Sequence, residues 1–308
     1  MRTTPLALLS LVVISGCWGE PTPVQEKGTL TEARRGFNSK LIARPSQAGA
    51  VPAPPPEIFR KVLYDSPAGK LQAYLSQVPD DGQKRPAIIW ITGGDSNSID
   101  DVWTEMPPDN DQNASAYRKA GVVLMFPTLR GGNDNPGTKE AFLGEVDDIL
   151  AAALYLAREE SVDSNRIYLG GHSTGGTLVL LVAECSDKFR AVFSFGPVSD
   201  VSYYPAEFTP FDTSNAREVA LRSPGRWLSS IMSPTFIIEG TGGNLGSLQA
   251  MQRSSTNPLV HFLPVQGATH FSVLAPANQL IASKILRDEG PTSSLTLTET
   301  ELNQAVAQ

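Results

Sequence analysis

Residues 166–182 read RIYLGGHSTGGTLVLLV, and few folds accommodate such a stretch. Ile167 to Leu169 form a short apolar strand, glycines crowd the turn, and a helical pattern starts at Thr174. Inside the turn lies Gly171-His172-Ser173-Thr174-Gly175, a G-x-S-x-G pattern. A strand-to-helix turn this tight holds its serine in a strained conformation, with the hydroxyl thrust out above the carboxyl edge of a sheet. Glycines flank it because side chains there would collide with the neighbouring strand or helix. The following helix aims its first N–H groups, and its positive dipole end, at the point where an oxyanion would form. Strand, turn and helix together predict a nucleophile elbow rather than a glycine-rich connection with an idle serine.

At 308 residues and 41% hydrophobic content, the chain can bury one good core, or at most two small ones. A net charge of −7 with pI ≈ 5.1, and no basic run, argue against a nucleic-acid partner. Near the N-terminus, Arg2 precedes an apolar run, Leu6 to Ile14, too short to span a bilayer. It ends in Ile14-Ser15-Gly16-Cys17, which resembles the lipobox of bacterial lipoproteins. That resemblance implies a signal peptide over 1–16 and lipidation of Cys17, whose acyl chains together would hold the protein on a membrane. It places the protein in the cell envelope, facing the periplasm. Trp18, standing where an aspartate would signal retention, is similar to the sorting pattern of outer-membrane lipoproteins. Pro45, Pro52, Pro54, Pro55 and Pro56 crowd one segment, so 17–56 is expected to be a Pro-rich tether. A polar tail is expected over 291–308, leaving 57–290 as the folded domain. Cys185, in an apolar helix, reads as a buried structural thiol.

Within that domain, residues 59–64 and 71–75 alternate apolar and polar around a Ser66-Pro-Ala-Gly69 turn, the signature of a β-hairpin. Continuous apolar runs at 86–91, 121–126, 191–195, 235–238 and 259–263 read as strands, those nearest the middle buried on both faces. Helical periodicity follows over 142–154, after Thr174, and over 277–287. The expected fold class is α/β: a mostly parallel twisted sheet with helices on both faces and the chemistry-bearing loops at one edge. The 86–91 strand opens into Thr92-Gly93-Gly94-Asp95. In α/β-type serine hydrolases this loop supplies one oxyanion-hole N–H, here from Gly94 or Asp95, with Thr174 giving the other. The acidic loop 96–115 reads as solvated, and Glu145, Asp147 and Asp148 on a helix shoulder read as solvated or ion-paired rather than as a metal site. With no histidine or cysteine at ligand spacing nearby, no metal or cofactor is expected.

A serine hydroxyl needs a base to take its proton. Three histidines are available: His172 adjoins Ser173 and would point elsewhere, His261 lies in mid-strand, and His270 sits on a loop just after the last strand. The base belongs late in the chain, so His270 is the candidate.

From about Phe59 to Arg287 the chain resembles the catalytic domain of the prolyl oligopeptidase family. The resemblance rests on Leu129-Arg-Gly-Gly, Gly144-Glu-Val-Asp-Asp148, residues 165–176 around the elbow, Arg222-Ser-Pro224, residues 233–241 and His270-Phe271. It implies hydrolysis of an ester or peptide bond through an acyl-enzyme on Ser173. Fewer than 60 residues precede the first strand, so the β-propeller that many members carry is not expected. One departure matters. The family places an aspartate three residues beyond the glycine ending the seventh strand, where this chain has Gly243, followed by Asn244. Asp200, after the sixth strand, is the first substitute for the triad acid, and Glu239, ending the seventh, the second. The missing aspartate also leaves a rival reading, a non-catalytic binding or scaffold lipoprotein with a degenerate triad. The aromatic segment 201–230 is expected to cap the substrate pocket, its apolar character suiting a neutral, hydrophobic group.

Overall fold

The computed structural model describes residues 20–44 and 49–308; the lipobox and Cys17 lie outside the described residues. A one-and-a-half-turn helix, α1 (Leu30–Arg34), precedes the hairpin of β1 (Phe59–Ser66) and β2 (Gly69–Ser76), whose register pairs Phe59 with Ser76. There follow β3 (Arg85–Ile91), α2 (Ser115–Lys119), β4 (Val123–Pro127), α3 (Glu145–Leu156), β5 (Val162–His172) and α4 (Thr174–Ala183). The chain continues through β6 (Val192–Phe195), α5 (Ala216–Ala220), β7 (Thr235–Gly240), α6 (Leu245–Ser254), β8 (Val260–Val265), α7 (Leu274–Arg287) and α8 (Glu299–Val306).

The eight strands form one sheet in the order β1-β2-β4-β3-β5-β6-β7-β8. β1, β2 and β4 pair antiparallel, and every pair from β4 through β8 is parallel. Parallel strands connected through helices are covered on both faces, which is why β3 and β4 are apolar throughout rather than alternating. Within β3, Ile88 and Trp90 pack on one face with Tyr117 of α2 and Leu274, Ala277 and Ile281 of α7. Ala87, Ile89 and Ile91 pack on the other with α3, α4 and Leu248 and Met251 of α6. All ten residues of α4 are buried, so the helix behind the elbow is apolar all round and is clamped between the sheet and α3.

Two segments depart from expectation. The tether expected over 17–56 is a strap over its described part. Leu30 is fully buried, Gln25 Nε2 donates to the Gly225 carbonyl, Arg34 pairs with Asp147, and Ser39 and Lys40 donate to the Glu218 carboxylate. Polar side chains that find partners on the domain replace the apolar periodicity that the segment lacks. The tail beyond Gly290 is also folded: Leu295, Leu297 and Leu302 are buried, and Lys284 of α7 pairs with Glu301 of α8. Arg190 and Tyr168 bind Asp288, which in turn accepts from Ser293 and Ser294, so the tail's path is fixed by one carboxylate.

Candidate active site

The chain reverses at Ser173 between the last residue of β5 and the first of α4, with φ 58° and ψ −116°. Left-handed backbone costs a non-glycine residue about 1–3 kcal/mol and persists only where the surroundings over-determine it. Here they do. The Ser173 N–H donates to the Phe195 carbonyl at 2.8 Å. A Cβ on Gly175 would lie 2.2 Å from the Ile91 carbonyl oxygen, and one on Gly176 would lie 2.3 Å from that of Phe195. These glycines let the helix start against the backbone of β3 and β6.

His270 sits five residues beyond β8, and its Nδ1 donates to Glu239 Oε2 at 2.8 Å. That bond fixes the tautomer, leaving Nε2 as the free ring nitrogen. Glu239 side-chain exposure is 0%, yet it is well partnered: Oε1 accepts from the Gly240 N–H at 2.7 Å, and Oε2 also accepts from the Asn244 N–H at 3.0 Å. Gly196, at φ +58°, makes the pair possible. A Cβ there would meet His270 Cε1 at 2.3 Å and Glu239 Oε2 at 2.6 Å. Gly196 directly follows the residue that accepts the Ser173 N–H, which ties the His–Glu pair to the elbow.

Asp200, the favoured substitute, does not reach His270. Its carboxylate accepts from the Ser202 N–H and Oγ and from Arg226 Nη2, capping the short turn Val201–Tyr203. A local cap and a guanidinium satisfy it where it stands. Asn244 supports Glu239 through its backbone, while its side-chain Nδ2 donates to the Gly196 carbonyl.

His172 does more than point away. It is buried, its ring centroid lies 4.5 Å from that of His270, and its Nε2 donates to the His270 carbonyl at 3.1 Å. Burial, and then the neighbouring imidazole, hold its pKa well below the usual histidine range, so it is a neutral prop. Its adjacency to Ser173 was the available signal. His261 stacks on Phe236 instead, ring centroids 5.0 Å apart.

On the other side of Ser173, Gly94 (φ +71°) turns the loop after β3, and Thr174 Oγ1 donates to the Gly94 carbonyl at 2.9 Å. No described group accepts from the N–H groups of Gly94, Asp95 or Thr174. Gly94, Asp95 and Thr174 line one end of a cavity of about 260 Å³, with Ser96, Asn97, Lys139, Ala141 and Phe142 along its wall. Glu207, Phe208 and Pro210 of the 201–230 segment close it from above.

The wall is held by buried carboxylates of the helix shoulder, one ion-paired as the sequence allowed. Asp148 is buried and takes Arg130 through both of its oxygens. Glu145 is also buried and accepts from the N–H groups of Glu140, Ala141 and Leu143 and from Asn97 Nδ2. Burial raises its pKa despite those bonds. Among the described residues no group of three or more His, Cys, Asp or Glu side chains could hold a metal ion.

Comparison with known proteins agrees with this architecture. The Prolyl oligopeptidase family matches residues 108–233. The chain is 24% identical over 224 residues to the 2,6-dihydropseudooxynicotine hydrolase of Paenarthrobacter nicotinovorans, covering 68% of this chain and 57% of that protein. It is 27% identical over 140 residues to Prolyl oligopeptidase A of Amanita bisporigera, covering 42% of this chain and 17% of the relative. The chain therefore spans just over half the length of the first relative and about a sixth of the second. Among solved structures, the Pyrococcus horikoshii acylaminoacyl peptidase superposes with a TM-score of 0.61 at 15% identity, covering 80% of this chain and 44% of that one. The fold is that of the α/β-hydrolases, and the stretch carrying the elbow is similar to the prolyl oligopeptidase family.

Proposed function

We propose that the chain is a serine-type hydrolase that cleaves an ester or amide bond through an acyl-enzyme on Ser173. His270 Nε2 takes the Ser173 proton as the hydroxyl attacks the carbonyl, then returns it to the leaving group. Glu239 holds the ring by Nδ1 and stabilises the imidazolium that forms. The N–H groups of Gly94 or Asp95 and of Thr174 receive the oxyanion. The observation that carries this reading is the His270–Glu239 pair packed over Gly196, next in the chain to Phe195, whose carbonyl holds the left-handed Ser173. It also removes the main support for a scaffold protein, because a carboxylate does back the histidine. An oligopeptidase and a pseudooxynicotine hydrolase both occur among the relatives, which supports hydrolysis without choosing the bond. The lipobox supports attachment to the envelope through Cys17, with the domain facing the periplasm on the outer membrane.

Labelling with a fluorophosphonate tests the proposal. Wild type should label and Ser173→Ala should not, while turnover of short nitrophenyl esters against a proline anilide separates esterase from peptidase. A folded wild type that neither labels nor turns over any of these substrates would refute it.

A further inference from the structure

The 260 Å³ cavity was expected to suit a neutral group, and its body is apolar: Phe142, Phe208, Pro210 and Ala141 line it. Its charges are less balanced. Asp95 and Lys139 form an ion pair at 2.7 Å and cancel. Glu207, the third charged lining residue, makes no hydrogen bond or ion pair with any described residue. One exposed carboxylate without a protein partner therefore lines the same pocket as Phe142, Phe208 and the proposed oxyanion groups Gly94 and Thr174.

The part of the lining formed by Ala141 and Phe142 is strained and braced. Ala141 and Phe142 both have left-handed backbones, φ 52° and 67°. Glu145 accepts the Ala141 N–H from below, and the fully buried Arg222 donates Nε to the Ala141 carbonyl at 2.8 Å. Phe142 stacks on Tyr204 with centroids 5.3 Å apart, and Tyr204 packs in turn on Phe208. A buried carboxylate, a buried guanidinium and two strained residues thus hold the Phe142 ring in place. Strain maintained in this way marks a surface that binds something.

An aromatic surface with a free carboxylate beside it is complementary to an ammonium ion, through the ring quadrupole and through charge. A neutral ligand would gain nothing from Glu207, and an anionic one would be repelled. We infer that this cavity is a subsite for a protonated amine on an apolar stem, so that the favoured substrate carries a cationic group on one side of the scissile carbonyl. Glu207 is then the specificity-determining residue. The inference rests on the hydrolase reading only for what the bound group is attached to; the binding itself does not need turnover.

The test compares 2-phenylethylammonium with 2-phenylethanol, a neutral analogue of nearly the same shape, in wild type and Glu207→Gln. Each is measured as an inhibitor of neutral nitrophenyl ester hydrolysis and, separately, by calorimetric titration of the folded protein. Wild type should favour the ammonium by about five- to tenfold, as expected of one partly exposed ion pair assisted by aromatic faces. The preference should shrink as salt is raised and fall to about one in Glu207→Gln. Using the ratio within each variant cancels any effect of the substitution on turnover. Equal affinities in wild type, a preference that survives Glu207→Gln, or no binding of either compound would overturn the inference. Calorimetric preference in a protein that fails to hydrolyse or label would preserve the subsite and sink the hydrolase reading instead.

Discussion

A Cβ built on Gly243 would lie 2.4 Å from Glu239 Oε1 and 3.0 Å from Oε2. An aspartate's own Cβ–O separation is about 2.4 Å, from a C–C bond of about 1.52 Å and a C–O bond of about 1.23 Å at a trigonal carbon. Glu239 Oε1 therefore lies at an aspartate's own Cβ–O distance while the carboxyl carbon is 2.7 Å off, so the Glu239 carboxylate crowds the space into which a side chain at 243 would extend. Gly243 has no positive φ, so a side chain there is free of backbone strain. Two results follow. Glu239→Gln keeps an acceptor but removes the charge, and should lower kcat/KM on a nitrophenyl ester by about 10³- to 10⁴-fold, or about 4–5.5 kcal/mol in the barrier. Glu239→Ala should do at least as much and also strand the N–H groups of Gly240 and Asn244, at about 1–3 kcal/mol of stability each. Adding Gly243→Asp to Glu239→Ala returns a carboxylate to the same point and the same donors, so it should recover at least tenfold in kcat/KM together with much of the lost Tm. Rates are compared on protein whose Tm has been measured, so that loss of fold is not scored as loss of chemistry. Glu239→Gln within tenfold of wild type, or a double variant no better than the single, would refute the assignment of Glu239 as triad acid.

Ser173 stores strain that glycine would release, so Ser173→Gly should lose all turnover yet melt about 1–2 °C above Ser173→Ala, the shift expected for about 1 kcal/mol in a chain of this size; an equal or lower Tm would contradict the strain. Glu184 is buried with neither carboxylate oxygen partnered, and burial raises its pKa well above the ordinary value. Above about pH 4.3 the unfolded chain ionises while the folded one holds its proton, so folding loses up to about 1.4 kcal/mol per pH unit until the raised pKa is reached. The Tm advantage of Glu184→Gln over wild type should therefore be small at pH 4.5 and grow towards pH 7.5, and a constant difference across that range would refute the account.

The elbow, the order of strands and His270 were legible because each is written locally. Strands buried on both faces have to be apolar without interruption, and a left-handed serine before a helix has to be flanked by glycine. Partners distant in sequence were not legible. Asp148 sits on an amphipathic helix and reads as solvated or ion-paired, but nothing in the sequence names Arg130, on the loop after β4, as its partner. The strap and tail carry readable capping boxes, Thr29 with Glu32 and Thr298 with Glu301. Their docking could not be read, since it rests on single leucines and on polar bonds to surfaces the sequence does not display.

The choice between Asp200 and Glu239 stayed open in the sequence for a related reason. What the chemistry requires is a carboxylate at one point in space, against His270 Nδ1, and two chain positions reach that point: a short side chain at 243 or a longer one at 239. Asp200 follows a neighbouring strand on the same edge of the sheet, so proximity in topology did not exclude it; its cap and its arginine did. The usable trace lay in the glycines. Gly243 is bare where Glu239 needs the room, and Gly196 is bare where the imidazole and carboxylate meet, so an absent side chain at each records a group arriving from elsewhere. Gly243 has no positive φ to require a glycine, and the atoms nearest to its missing Cβ are those of the Glu239 carboxyl group.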